Sequence, residues 1–247
     1  MRAMSRIWLT LVVGASLGLT LMWVSPVRAT PLNITTTTWA TISSYLGAPE
    51  AVPVIDYFDF HPPTTGYDGE VISAVFKGTG SASGLFVYLY QLKIYPSSSA
   101  PYISGIAFPS PQAISPATVN GIQVFAVSDA PILFGEASPN APLTRADWSL
   151  SSPTTSQFSF DVTLYRDNVD GGIHDPSGDS DPPYEDNISV LWGFFHPAPP
   201  TLVSSNPKDG GQDLRNPKVY TPTPEPSAIV LLSLGLLGLV KVRRRMA

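Results

Sequence analysis

The chain reads as an all-β protein, a single β-sandwich with jelly-roll or Ig-like connections, set between two apolar termini. Three observations carry that reading. Proline and glycine, 26 and 19 in the whole chain, recur along the body, where no stretch keeps a 3.6-residue apolar period with helix caps. Short segments of alternating apolar and polar residues recur instead, separated by polar turn signals. Cysteine is absent, so a buried core rather than a disulfide framework must stabilise the fold, and residues 30 to about 224 suffice for one domain.

Taken in chain order, residues 30–45 are threonine-rich (Thr35 to Thr38) and are expected as an edge strand or a loose start. Val71 to Lys77 is the first clear strand, closed by the turn signal Lys77-Gly78-Thr79-Gly80. Leu85 to Ile94 is apolar on both faces, with Phe86, Tyr88 and Tyr90 against Leu85, Val87 and Leu89, which places it mid-sheet. Pro96-Ser97-Ser98-Ser99 then marks a turn before Ile103 to Phe108. After Asn120-Gly121 the run to Ser128 puts Ile122, Val124 and Ala126 on one side, and Ile132 to Phe134 follows as a shorter strand. Phe158, Phe160, Val162 and Leu164 alternate with Ser159, Asp161 and Thr163, a strand with one wet face. Ile188 to Phe195 completes the set, with Trp192 as core, and the sandwich is expected over 30–195. His196 to Thr223 is rich in Pro, Ser, Asn and Lys with little apolar periodicity, and is expected as a Pro/Ser-rich linker.

The N-terminus is composed as a signal peptide over residues 1–29. Arg2 and Arg6 precede an apolar stretch from Ile7 to Val24, and Val27-Arg28-Ala29 offers small residues for signal peptidase, with cleavage expected after Ala29. At the other end the apolar run from Ala228 to Val240 is followed by Lys241 and then Arg243, Arg244 and Arg245. As a helix this run would be about 20 Å long against a hydrocarbon core of roughly 30 Å. It is apolar on all sides, and its basic end reads as a cytoplasmic stop, so a short membrane helix with snorkelling Lys241 and Arg243 is expected. Pro224 and Pro226 keep the backbone before it extended and leave Glu225 in water.

Between residues 30 and 224, seven Lys and Arg stand against eighteen Asp and Glu, a net of −11. That sign argues against nucleic acid, whose binding needs basic patches to displace counterions. No catalytic constellation is legible. Gly14-Ala15-Ser16-Leu17-Gly18 has the nucleophile-elbow spacing but lies in the signal peptide, and Gly178-Asp179-Ser180 lacks a strand-to-helix setting. His61, His174 and His196 are far apart, while Asp56 and Asp59 would point to opposite faces of one strand. No cofactor is expected, with one exception to weigh. Seven acids lie between Asp167 and Asp186, interrupted by glycines, and Asp167, Asn168, Asp170 and Asp175 are candidate oxygen ligands for calcium. A solvated acidic loop is the plainer reading of the same residues, since the spacing is not that of an EF-hand. Tyr67 and Tyr184 fall in loops and are candidate stacking residues for carbohydrate.

Pro224, Glu225, Pro226 and Ser227, with the apolar run and Arg243 to Arg245 behind them, resemble the sorting signal of PEP-CTERM proteins. The resemblance covers the tail, about 25 residues, and spans the segment 224–247. It implies an exported protein that reaches the inner membrane, is held there by its C-terminal segment, and is processed by exosortase near Pro224 to Ser227. It also implies release to the cell surface or extracellular matrix among exopolysaccharide and matrix proteins. The expected function is accordingly a non-enzymatic surface or matrix protein, associated with exopolysaccharide or biofilm matrix. A calcium-dependent carbohydrate-binding module or carbohydrate-active enzyme is the alternative. A glycosidase would need two carboxyls roughly 5–10 Å apart in a cleft.

Overall fold

A computed structural model describes residues 30–59, 69–94, 105–110, 115–127, 129, 143–152, 155–164, 188–208 and 216–223. Among these the chain is almost entirely strand. The strands are β1 (Thr30–Leu32), β2 (Ile34–Thr37), β3 (Leu46–Pro49), β4 (Val54–Phe58), β5 (Gly69–Gly78), β6 (Phe86–Ile94) and β7 (Gly105–Ser110). They continue with β8 (Val124–Val127), β9 (Leu143–Ser152), β10 (Thr155–Leu164), β11 (Leu191–His196), β12 (Pro200–Ser204), β13 (Asn206–Lys208) and β14 (Lys218–Pro222). The one α-helix among the described residues, α1 (Trp39–Ser43), is a single turn whose N-terminus is capped by the Thr38 side chain accepting from the Thr41 amide.

A seven-stranded mixed sheet forms the centre, with β2-β8-β11-β6-β5-β3 in order and β4 also paired to β5. Its β2–β8 pair is parallel and its other pairs are antiparallel. A five-stranded antiparallel sheet, β1-β9-β10-β7-β13, lies beside it, and β12 and β14 make a separate ribbon. Neither sheet closes into a barrel.

The sequence explains why the central sheet is buried on both faces. In β6, Tyr88, Tyr90 and Leu92 join a core with Trp192 and Phe194 of β11, Val71 and Val75 of β5, and Val124 of β8. On the other face Val87 and Leu89 join Leu191, Phe195, Phe125 and Val127, covered by Ile42 and Tyr45 from around α1 and by Val119 and Ile122. Apolar residues on both faces from Phe86 to Tyr90 are what a strand covered on both sides requires, and the buried Gln91 donates to the Ser189 carbonyl, so the mid-sheet expectation for 85–94 holds. Val71 to Lys77 likewise falls on β5, Gly121 to Val127 on β8 with the Ile122 bridge before it, and Ile188 to Phe195 on β11 with the Ile188 bridge before it, while Ser128 lies outside the described residues. The Asn120-Gly121 turn has both residues at positive φ, 49° and 83°.

The first core also receives Ile106 and Phe108 of β7, so the five-stranded sheet meets the seven-stranded one there. Phe108 stacks on Tyr90 at 4.8 Å and on Trp192 at 5.6 Å between ring centroids, and Tyr90 stacks on Trp192 at 4.5 Å. Each such pair contributes about 0.5–1.5 kcal/mol beyond the area it buries. Trp192 is fully buried, as its setting in the sequence indicated.

One expectation is overturned. The segment read as a linker, 196–223, is strand over most of its described length: β12, β13 and β14 pair with each other or with β7, and Val219 and Thr221 are fully buried. Its prolines sit at strand ends or on sheet edges, where a missing N–H costs nothing, and that concealed a strand composition such as Lys218-Val219-Tyr220-Thr221. The threonine-rich start is an edge strand of the central sheet, although its parallel pairing was not foreseen. The expected turn at Pro96–Ser99 and strand at Ile132–Phe134 lie outside the described residues.

Gly193 of β11 stands opposite Phe125 of β8, and a Cβ at Gly193 would meet the Tyr88 carbonyl oxygen and lie 2.8 Å from Phe125 Cζ. The Phe125 ring thus occupies the space that a side chain would take. Gly193→Val is expected to destabilise the fold by about 3 kcal/mol, the upper end of overpacking costs, because the obstructing atom includes backbone. Urea unfolding measures this, with the exposed Ser81→Ala expected to leave the midpoint in place.

Candidate functional site at the C-terminal seam

The described structure ends where the basic-tailed segment begins, and the last strand is fastened there from several directions. After β11 the chain turns through Pro197-Ala198-Pro199, where the His196 Nδ1 accepts from the Ala198 amide at 3.0 Å. Two buried tyrosines of β6 hold the returning ribbon. Tyr88 Oη donates to the Ala198 carbonyl at 2.8 Å, and Tyr90 Oη donates to the Tyr220 carbonyl at 2.7 Å. The edge of β14 is satisfied by side chains rather than by another strand: the Lys218 amide donates to Asp56 Oδ2 at 2.9 Å and the Tyr220 amide to Ser73 Oγ at 3.1 Å. Tyr220 Oη donates to the Val52 carbonyl at 2.9 Å. Ser205 holds the Pro217 carbonyl through both its amide and its hydroxyl. At the final described residue, the amide and hydroxyl of Thr223 both donate to the Pro199 carbonyl at 2.7 Å.

Asp56, weighed in the sequence as half of an acid pair, is therefore a structural acceptor that ties β4 to β14 and caps its own neighbour, Tyr57, through Oδ1. Burial pushes the Tyr88 hydroxyl well above the ordinary tyrosine range, with the Glu50 charge adding to it. The Tyr90 hydroxyl is raised by burial first and then by Tyr88. Both remain protonated donors to their carbonyls.

Of the residues singled out in the sequence, Ala29 immediately precedes the first described residue, Thr30. Pro224, Glu225, Pro226 and Ser227 immediately follow the last, Thr223, with Arg243, Arg244 and Arg245 beyond them, and all of these lie outside the described residues. So do Asp167, Asn168, Asp170, Asp175, Tyr67 and Tyr184. The strands that flank the last two groups are described. Residues 60–68 join β4 to β5, entering at Gly69 opposite Ile94, and residues 165–187 end at Ile188, which bridges Lys93. Gly69 and Ile188 thus lie at one end of the central sheet, on either side of β6. Among the described residues no group of three His, Asp or Glu side chains could hold a metal ion, and no helix is long and apolar enough to cross a membrane.

The comparisons with known proteins place the tail in a class. Residues 222–245 match the PEP-CTERM protein-sorting motif. No curated protein and no solved structure matches the chain. The C-terminus therefore carries the exosortase-dependent sorting signal, which marks an exported protein recognised by exosortase and routed via the membrane to the cell surface. The motif begins at Pro222, the last residue of β14, so sorting signal and folded body overlap. Sequence reading found the tail but missed the ribbon that presents it. The available signal was the β-branched and aromatic run Val219-Tyr220-Thr221 between Pro217 and Pro222.

Removing one hydroxyl tests the clamp. Tyr90→Phe leaves the Tyr220 carbonyl without that donor and is expected to cost about 1–3 kcal/mol. The two tyrosines also set an alkaline limit. Their folded pKa values lie above the ordinary 10.0, so their contribution is whole below pH 10. It is lost as pH rises from there toward the folded values, because the unfolded chain releases the protons first. Urea midpoints measured from pH 8 to 11 should fall above pH 10 in the wild type, and less steeply in Tyr88→Phe with Tyr90→Phe.

Proposed function

We propose that this chain is an exported, exosortase-processed protein of the cell surface or extracellular matrix, a non-enzymatic β-sandwich body that associates with exopolysaccharide or biofilm matrix. The observation that carries the reading is the PEP-CTERM motif at residues 222–245, joined without a spacer to the paired strand β14. The core shared by Phe108, Tyr90 and Trp192 supports the sandwich. In this reading signal peptidase cuts after Ala29, and the body crosses the inner membrane and folds outside. The apolar run from Ala228 to Val240 stays in the bilayer as a membrane segment with Arg243, Arg244 and Arg245 inside. Pro224 and Pro226 keep the processing segment extended, and Glu225 between them is the charged feature exosortase reads.

Intact mass of the secreted and membrane fractions, from the native host with and without its exosortase, tests this. The expected mature species begins at Thr30 and ends near Pro224 to Ser227. Without exosortase the chain should keep its tail and stay with the membrane, and Glu225→Ala should trap that same form. A mature species in the native host that still carries Arg245 contradicts the reading, and unchanged processing of Glu225→Ala removes that residue from it.

A further inference from the structure

The last described residue, Thr223, is fixed to Pro199 by two hydrogen bonds, and the apolar run begins at Ala228. Five peptide steps separate them, at most roughly 17 Å when fully extended. While the tail occupies the bilayer, the exit point of the body must therefore lie close to the lipid headgroups, which add only roughly 5–8 Å per leaflet to the hydrocarbon core. A long linker would have let the body drift away. The ribbon removes that freedom.

The surface beside this exit is apolar. Exposed large hydrophobic side chains among the described residues are Val52 at 81%, Ile55 at 50% and Leu202 at 48%. Two of these three meet at Tyr220. Leu202 is its cross-strand partner in the ribbon, and its hydroxyl reaches the Val52 carbonyl. Tyr220 lies three residues before Thr223, about 10 Å along a strand. Val52, Leu202 and the half-buried Tyr220 thus lie together within reach of the bilayer, flanked by the exposed Pro199 and, on the same face of β14, by the exposed Lys218. A tyrosine with an apolar body and a bonded hydroxyl, set among aliphatic side chains, suits the membrane–water interface.

We propose that the Val52–Leu202–Tyr220 surface is a lipid-docking face, seated on the outer surface of the inner membrane while the sorting tail is inserted, and freed when the tail is cut. The inference rests on the proposed function, since it needs the tail in the membrane. Docking is apolar in origin: the body's net charge of −11 is repelled by anionic headgroups, so added salt should not weaken the contact.

The absence of cysteine allows a direct test, because any introduced thiol is the sole labelling site. Val52→Cys, Leu202→Cys, Ser81→Cys and Ser233→Cys variants of the full chain carry an environment-sensitive fluorophore. They are reconstituted in phosphatidylethanolamine–phosphatidylglycerol vesicles containing either headgroup or acyl-chain nitroxide quenchers. Expected is strong headgroup quenching with a blue shift at positions 52 and 202, persisting in high salt, and none at 81. Acyl-chain quenching at 233 establishes that the tail is inserted. Quenching at 233 with positions 52 and 202 as exposed as 81 overturns the lipid face while leaving the sorting reading intact. A label at 233 that stays in water overturns both. A change at 52 and 202 that appears only when exosortase is added to the vesicles assigns the face to that protein and overturns the lipid proposal.

Discussion

Two tyrosine hydroxyls of the central strand hold the C-terminal ribbon to the rest of the body. Tyr88 and Tyr90 stand on one face of the central strand β6 and reach across to the carbonyls of Ala198 and Tyr220, at the two ends of the returning segment. Neither hydroxyl could be left unpaired in that core without a penalty of about 1–3 kcal/mol, so the tyrosines and the ribbon need one another. The aromatic bodies of the same residues stack on Phe194, Trp192 and Phe108. One pair of side chains thus serves the packing between sheets and the hold on the C-terminal ribbon.

From that clamp the functional arrangement follows. A ribbon fastened by Tyr88, Tyr90, Asp56 and Ser73 brings Thr223 to a fixed point on the surface, and the sorting motif starts within the ribbon's last strand. The motif therefore starts on a paired strand, at Pro222 of β14. Presentation in this form depends on the body having folded, because β14 is held by residues from β4, β5 and β6, far earlier in the chain.

The parts of the fold legible in the sequence are those whose cause is local. β6 could be read because both its faces are aromatic and aliphatic from Phe86 to Tyr90, and β5, β8 and β11 because their runs are bounded by turn residues. The tail could be read because proline–acid–proline, an apolar run and a basic end are all written in one short segment. The ribbon could not. Its strands are five residues long, β12 has no buried position and β14 buries Val219, Thr221 and Pro222 without alternation, and its edge amides are satisfied by Asp56 and Ser73, 162 and 147 residues away. A five-residue helix such as α1 is likewise too short to show a period, and its cap, Thr38, is hidden in a threonine run that reads as strand. The parallel β2–β8 pair joins segments about ninety residues apart, which no local pattern encodes. For the candidate ligand loops, the strands fix where the segments enter the central sheet, and the side chains of Asp167, Asp170, Tyr67 and Tyr184 lie outside the described residues.

The central claim is that residues up to Thr223 belong to the folded body and deliver the sorting motif at its surface. Native-state hydrogen exchange on the full chain measures it most directly. The amides from Lys218 to Thr223 should be protected in one cooperative unit with those of Phe86 to Ile94, since the same tyrosines bind both. Tyr90→Phe should lower protection in both segments together. Exchange of residues 218–223 at the rate of an unstructured peptide, while β6 stays protected, would contradict the account and return the segment to a linker.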